Sequence, residues 1–137
     1  MNRLFLFLPI MMWLSPMIAC AGQPKVTDVD WEWACGGSNI RVTRVDRQIV
    51  AIEAFAEHST EGRGWICLLK EGEIISALYR HSIIKHTNEL GKDGVYITEQ
   101  HEDIVKTFHF PDHKLSGMDK ALLKDLQEVI AKAKAGR

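Results

Sequence analysis

Net charge is what this chain has least of: 17 lysines and arginines stand against 18 aspartates and glutamates in 137 residues. A nucleic-acid binder needs a basic face that displaces counterions, and that footprint is missing. The same balance supplies no polybasic segment for an anionic membrane. Cysteine is scarce, with 3 in the chain. Cys20, Cys35 and Cys67 form neither a C-x-x-C redox pair nor a zinc-type array. No serine stands in a G-x-S-x-G setting. Gly36-Gly37 and Gly62-Arg63-Gly64 lack the strand-to-helix context that aims backbone N–H groups at a phosphate, and read as turns. Internal repeats and low-complexity stretches are absent.

What is present first is an export signal. Asn2 and Arg3 precede an apolar run of 11 residues, Leu4 to Leu14, broken only by Pro9. That length makes a signal-peptide core and falls short of a membrane span. Two cuts fit the residues after this run. Ala19-Cys20-Ala21 is an A-x-A site that leaves Gly22 as the first mature residue, with 1–21 removed. Alternatively Met17-Ile18-Ala19 precede an acylated Cys20, so that 1–19 is removed and the domain hangs from a membrane by lipid. Either cut leaves Cys35 and Cys67 as a pair in an oxidising compartment, which predicts one disulfide. Closing a loop of 31 intervening residues would stabilise the fold by about 3 to 4 kcal/mol in the chain-entropy model. The mature chain, 22–137, has the length of a single globular domain.

Period-two alternation marks the strands. Asp30 to Cys35 places Trp31, Trp33 and Cys35 on one face after a polar lead from Gly22 to Val29. Asn39 to Val45 and Ile49 to Glu57 follow across the break Asp46-Arg47-Gln48. His58 to Gly64 reads as a polar loop. Trp65 to Lys70 and Glu73 to His81, running on through Ile84, form a hairpin around Glu71-Gly72. Residues 87–94 read as a glycine-bearing loop, and Val95 to Thr98 with Ile104 to Phe110 as further strand, ended by Pro111. Met118, Leu122, Leu126, Val129, Ile130 and Ala133 recur at helical spacing, with Ser116 and Asp119 set as a capping box. Lys120, Lys124, Asp125, Glu128 and Lys132 fall on the opposite, watered side. The expectation is an α+β domain: an antiparallel β-sheet meander of about five to six strands packed by one C-terminal α-helix, with one disulfide.

The histidines are clustered, all 6 lying between residues 58 and 113. His109 and His113 bracket Asp112, and His81 with His86 ends another strand, which raises a zinc or copper site as one reading and surface histidines at strand ends as the other. Carboxylates pair along the chain, as in Glu53 with Glu57, without a sign of converging on a catalytic cleft. Trp31, Trp33 and Trp65 beside the two cysteines read as a packed core. The residue types of binding hot spots gather in His58, Arg63, Trp65, Tyr79, Arg80 and His81.

These features lead to a periplasmic or outer-membrane lipoprotein, or otherwise secreted protein, that binds a protein partner in the cell envelope. It would act as an inhibitor, immunity or accessory factor, without catalysis or cofactor, presenting the loops at 58–64 and 87–94 as fingers. Its contact with a membrane would run only through Cys20. A metal- or small-ligand-binding protein using the histidines is the alternative, and a small hydrolase a further one.

Overall fold

Alternation with period two runs through every long strand of this chain, and the structure joins six of them into one antiparallel sheet. A computed structural model describes residues 22–31, 37–85, 89–97 and 100–136. The elements are β1 (Lys25–Asp30), β2 (Ser38–Val45), β3 (Gln48–Glu57), β4 (Glu61–Lys70), β5 (Glu73–Lys85), β6 (Glu89–Leu90), β7 (Tyr96–Ile97), β8 (Gln100–His109) and α1 (Lys120–Ala135). The strand order β1-β2-β3-β4-β5-β8 is a meander, and β6 and β7 form a small hairpin of their own between the last two strands. The expected α+β arrangement, a meander under a C-terminal helix, is the one observed. The leader segment, Cys20, Trp33, Cys35 and His86 lie outside the described residues.

Turn chemistry explains the register. Glu71 and Gly72 both take positive φ, 54° and 80°, as a two-residue turn between right-twisted strands requires. Asp46 and Arg47 do the same between β2 and β3, at 49° and 68°. Each hairpin carries one register shift close to its turn, at Thr43/Arg44 and at Leu68/Leu69, and beyond it the alternation sends one set of side chains under the helix. Ile40 and Val42 of β2, Ile52, Ala54 and Ala56 of β3, Trp65, Cys67 and Leu69 of β4, and Ile74, Ala77 and Tyr79 of β5 are buried there with Trp31, Phe110, Leu126, Val129 and Ala133. Met118, Leu122 and Ile130 pack at the edge of this core, so the helical stripe read from spacing meets the sheet.

Four local expectations need correction. Lys25–Asp30, expected largely as a polar lead, is an edge strand paired with β2, its polar residues facing water; residues 32–35 of the strand expected to follow lie outside the described residues. Residues 61–64 are strand rather than loop: Gly62 and Gly64 continue the outward positions of β4, while Arg63 keeps the inward phase of Trp65 and Cys67. Only a tight turn is left at 58–60, closed by His58 N–H donating to the Glu61 carbonyl (2.6 Å). The helix cap is Asp119 rather than Ser116, and its Oδ1 accepts from Leu122 N–H (2.9 Å). That bond satisfies one of the orphan donors of the first turn.

The fourth correction is the disulfide. Cys67 is a free, buried thiol and the disulfide is not supported: no cysteine pair stands at disulfide distance among the described residues, and Cys35 lies outside them. Cys67 faces the core from β4, opposite Ile52 of β3 and Ala77 of β5, and no second cysteine stands beside it among the described residues. Burial also pushes the Cys67 thiol up to about 12, so almost no thiolate exists near neutrality. In the folded protein at pH 8, iodoacetamide should therefore leave Cys67 unmodified, while urea-unfolded chain is alkylated there. Rapid labelling without urea, read by peptide mass, would contradict this packing.

Candidate functional site

The six residues singled out as contact types divide between the two faces of the sheet. Arg63 lies opposite His81 and Trp65 opposite Tyr79 on β4 and β5, so these four share the helix side. Trp65 and Tyr79 are 1% and 8% exposed, and their rings pack at 4.8 Å between centroids, tilted by 48°. They are core rather than contact surface. Burial also raises the Tyr79 hydroxyl above its ordinary pKa. His58 sits at the turn, and Arg80 emerges on the opposite face.

Asp125 organises the helix side, although its place in the helical pattern assigned it to water. Its Oδ2 accepts from Trp65 Nε1 (2.7 Å), and its Oδ1 pairs with Arg63 (3.2 Å), whose guanidinium lies 5.2 Å from the Trp31 ring centroid. Near the other end, Arg44 donates to the carbonyls of Ala133 (3.0 Å) and Gly136 (2.5 Å), which satisfies the helix C-terminus and meets its negative dipole end. Further along the same face, His81 Nε2 donates to Glu61 (2.6 Å).

No helix among the described residues lies on the other face. Phe55, Ile66, Leu68 and Val105 are between 44% and 57% exposed there. Its cross-strand rows are Glu53–Ile66–Leu78–Thr107, Phe55–Gly64–Arg80–Val105 and Glu57–Gly62–Ser82–Asp103. Because Gly62 and Gly64 carry no side chains, a trench of about 610 Å³ opens over β4, lined by Phe55, Ile66, Leu78 and Ile84, with Glu53, Glu57 and His58 along it. The two glycines have different reasons to be there. A Cβ on Gly64 would stand 2.7 Å from the Ala54 carbonyl oxygen, so the close strand approach demands glycine. A Cβ on Gly62 would meet only ordinary contacts, at 3.8 Å and beyond.

The polar wall on the β8 side is closed on itself. Asp103 accepts from Ser82 Oγ (2.5 Å) and from Arg80 (3.0 Å), which together hold its carboxyl below the usual range. On the other face Lys85 donates to Glu102 (2.7 Å) and lowers that carboxyl likewise. A carboxylate held anionic in this way is a weak base toward the Ser82 proton. His109 and His113 do not gather with further ligands: no group of three metal-binding side chains occurs among the described residues. His113 instead donates through Nδ1 to the Ile74 carbonyl (3.2 Å).

No family model matches this chain, and no curated protein or solved structure is similar to it. The reading of the site rests on its geometry.

Asp125→Ala should cost about 2 to 3 kcal/mol in urea unfolding, since it leaves the Trp65 N–H without its acceptor and removes the carboxylate from Arg63. Asp125→Asn, which retains one acceptor, should cost less. A loss below about 0.5 kcal/mol would reduce the cluster to a surface ion pair. Acid exposes the second device. Glu102 and Asp103 titrate lower in the folded chain than in the unfolded one, so their stabilisation is present above the unfolded carboxylate pKa and is lost as pH falls through the folded one. The urea midpoint of the native sequence should drop further between pH 5 and pH 2 than that of the double variant Glu102→Gln/Asp103→Asn. Equal drops would contradict it.

Proposed function

We propose that this chain is an exported, non-catalytic protein of a bacterial-type cell envelope that binds another protein, as an inhibitor, immunity or accessory factor. The observation that carries the proposal is the uncovered sheet face: an apolar trench flanked by exposed Phe55, Ile66 and Leu68. Contiguous apolar surface with a polar rim is the physical mark of a protein-binding patch. The leader with its run from Leu4 to Leu14 supports export, and acylation at Cys20 would tether the domain to a membrane.

Occlusion of a partner's surface is the mechanism this geometry supports. Of the two expected fingers, 58–64 is largely strand and supplies the floor of the trench. The second becomes the β6–β7 hairpin, whose flanks expose Leu90 and Val95 at 63% and 69%. The sheet that forms the trench floor limits the entropy lost on docking there.

Site-specific cross-linking in the source organism tests this. A benzophenone side chain placed at Ile66, on the open face, should capture one envelope protein, and the same group at Lys124, on the outer side of the helix, should not. Capture only from position 124, or from neither, would overturn the assignment. Mass analysis of the mature N-terminus in the same preparation checks export: Gly22 or acylated Cys20 is expected, and an uncleaved Met1 chain would contradict it.

A further inference from the structure

The uncovered face carries more information than its hydrophobicity. Along β3 its outward residues read Glu53, Phe55, Glu57, an acid–aromatic–acid series at every second position. They run beside Ile66, Gly64 and Gly62 of β4 in that order. The two carboxylates stand four residues apart, about 13 Å at strand rise, with the apolar floor between them. Arg41, at 3.8 Å from Glu53 and 3.5 Å from Asp28, is shared between two acids. Across the trench, Arg80 is committed to Asp103 at 3.0 Å. The β3 rim is therefore left with excess negative charge.

Gly62 is the second observation. Glycine inside a strand is unfavourable, because it costs backbone entropy and brings no side chain to pack. At position 64 the backbone demands it, but at position 62 an added Cβ finds only ordinary contacts. The fold would accept a larger residue at 62, and such a residue would fill the trench. Keeping that position empty serves an occupant.

We infer that the trench takes an extended segment of a partner protein carrying Lys or Arg at two positions four apart, with an apolar residue midway between them. In an extended chain, side chains at i, i+2 and i+4 point to one side. The middle one then drops over Gly62 and Gly64 against Phe55 and Ile66, while the two cations reach Glu57 and Glu53. The inference rests on the partner-binding reading proposed for this face and names the chemistry of that partner.

The probe is the peptide acetyl-Thr-Lys-Thr-Phe-Thr-Lys-Thr-amide, titrated into the mature chain and followed by backbone amide shifts. Its counterpart has Glu in place of both Lys. The lysine peptide should shift amides of β3 and β4 facing the trench and bind at least about tenfold more tightly than the glutamate peptide, with an advantage that shrinks as salt is raised. Gly62→Val should abolish the shifts while the urea midpoint stays level or rises, and Glu57→Gln should weaken binding about three- to tenfold. Absence of binding, equal binding of the two peptides, or undiminished binding by Gly62→Val would each overturn the inference. So would a concentration-dependent dimer that Gly62→Val dissolves, since the occupant would then be a second copy. If cross-linking from position 66 captures a partner while the peptides are not distinguished, partner binding stands and only the cationic motif fails.

Discussion

Among the described residues one helix packs on the six-stranded sheet, and it can cover only one side of it. At about 1.5 Å per residue, the 16 residues of α1 span about 24 Å, and its backbone approaches β2 and β3 most closely. It lies across the sheet from Asp125 over β4 to Ala133 and Gly136 near β2. All the fully buried bulk, Trp31, Trp65, Phe110 and Leu126 included, collects beneath it. Nothing among the described residues is available to close the second face, and the apolar residues that remain there result from this one-sided coverage.

The polar contacts serve the same constraint. A single amphipathic helix must be fixed in position and angle, and two arginines from the sheet do this near its two ends. Arg63 works through Asp125, in a cluster shared with Trp65, and Arg44 through the last carbonyls. Both lie at the margin of the core, where part of each guanidinium stays wet and the cost of desolvation stays moderate. The open face has no such anchor points, and its ion pairs, Arg80–Asp103 and Arg41 with its two acids, run across strands of the sheet itself.

Much of this architecture is legible in the residues. The hairpins around Asp46-Arg47 and Glu71-Gly72, the helix stripe and the inward phase of Trp65, Cys67 and Leu69 are consequences of periodicity and turn chemistry, which are local. What stays hidden depends on neighbours. Lys25 to Val29 reads as part of a polar lead because an edge strand needs few apolar residues. Gly62-Arg63-Gly64 reads as a loop because glycines suggest turns, although the alternation of Arg63 with Trp65 already carries the strand signal two residues earlier. Asp125 reads as solvent-facing from the helical wheel alone, and only the indole N–H of Trp65 brings it inward. A disulfide is suggested by compartment and count, which say nothing about which side chains the sheet brings together. The trench is invisible for the same reason: Glu53, Phe55, Gly62, Gly64 and Ile66 become neighbours only through the β3–β4 register.

The central claim is that the two faces of this sheet differ, one holding the core sealed beneath the helix and the other open. Methyl NMR with a soluble gadolinium relaxation agent reads that difference directly. Methyl groups of Ile66, Leu68 and Val105 should broaden strongly as the agent is added, while those of Ile40, Ile52, Leu126 and Val129 stay sharp. Equal protection of both sets, in a protein shown to be monomeric, would mean that the second face is covered and would contradict the account.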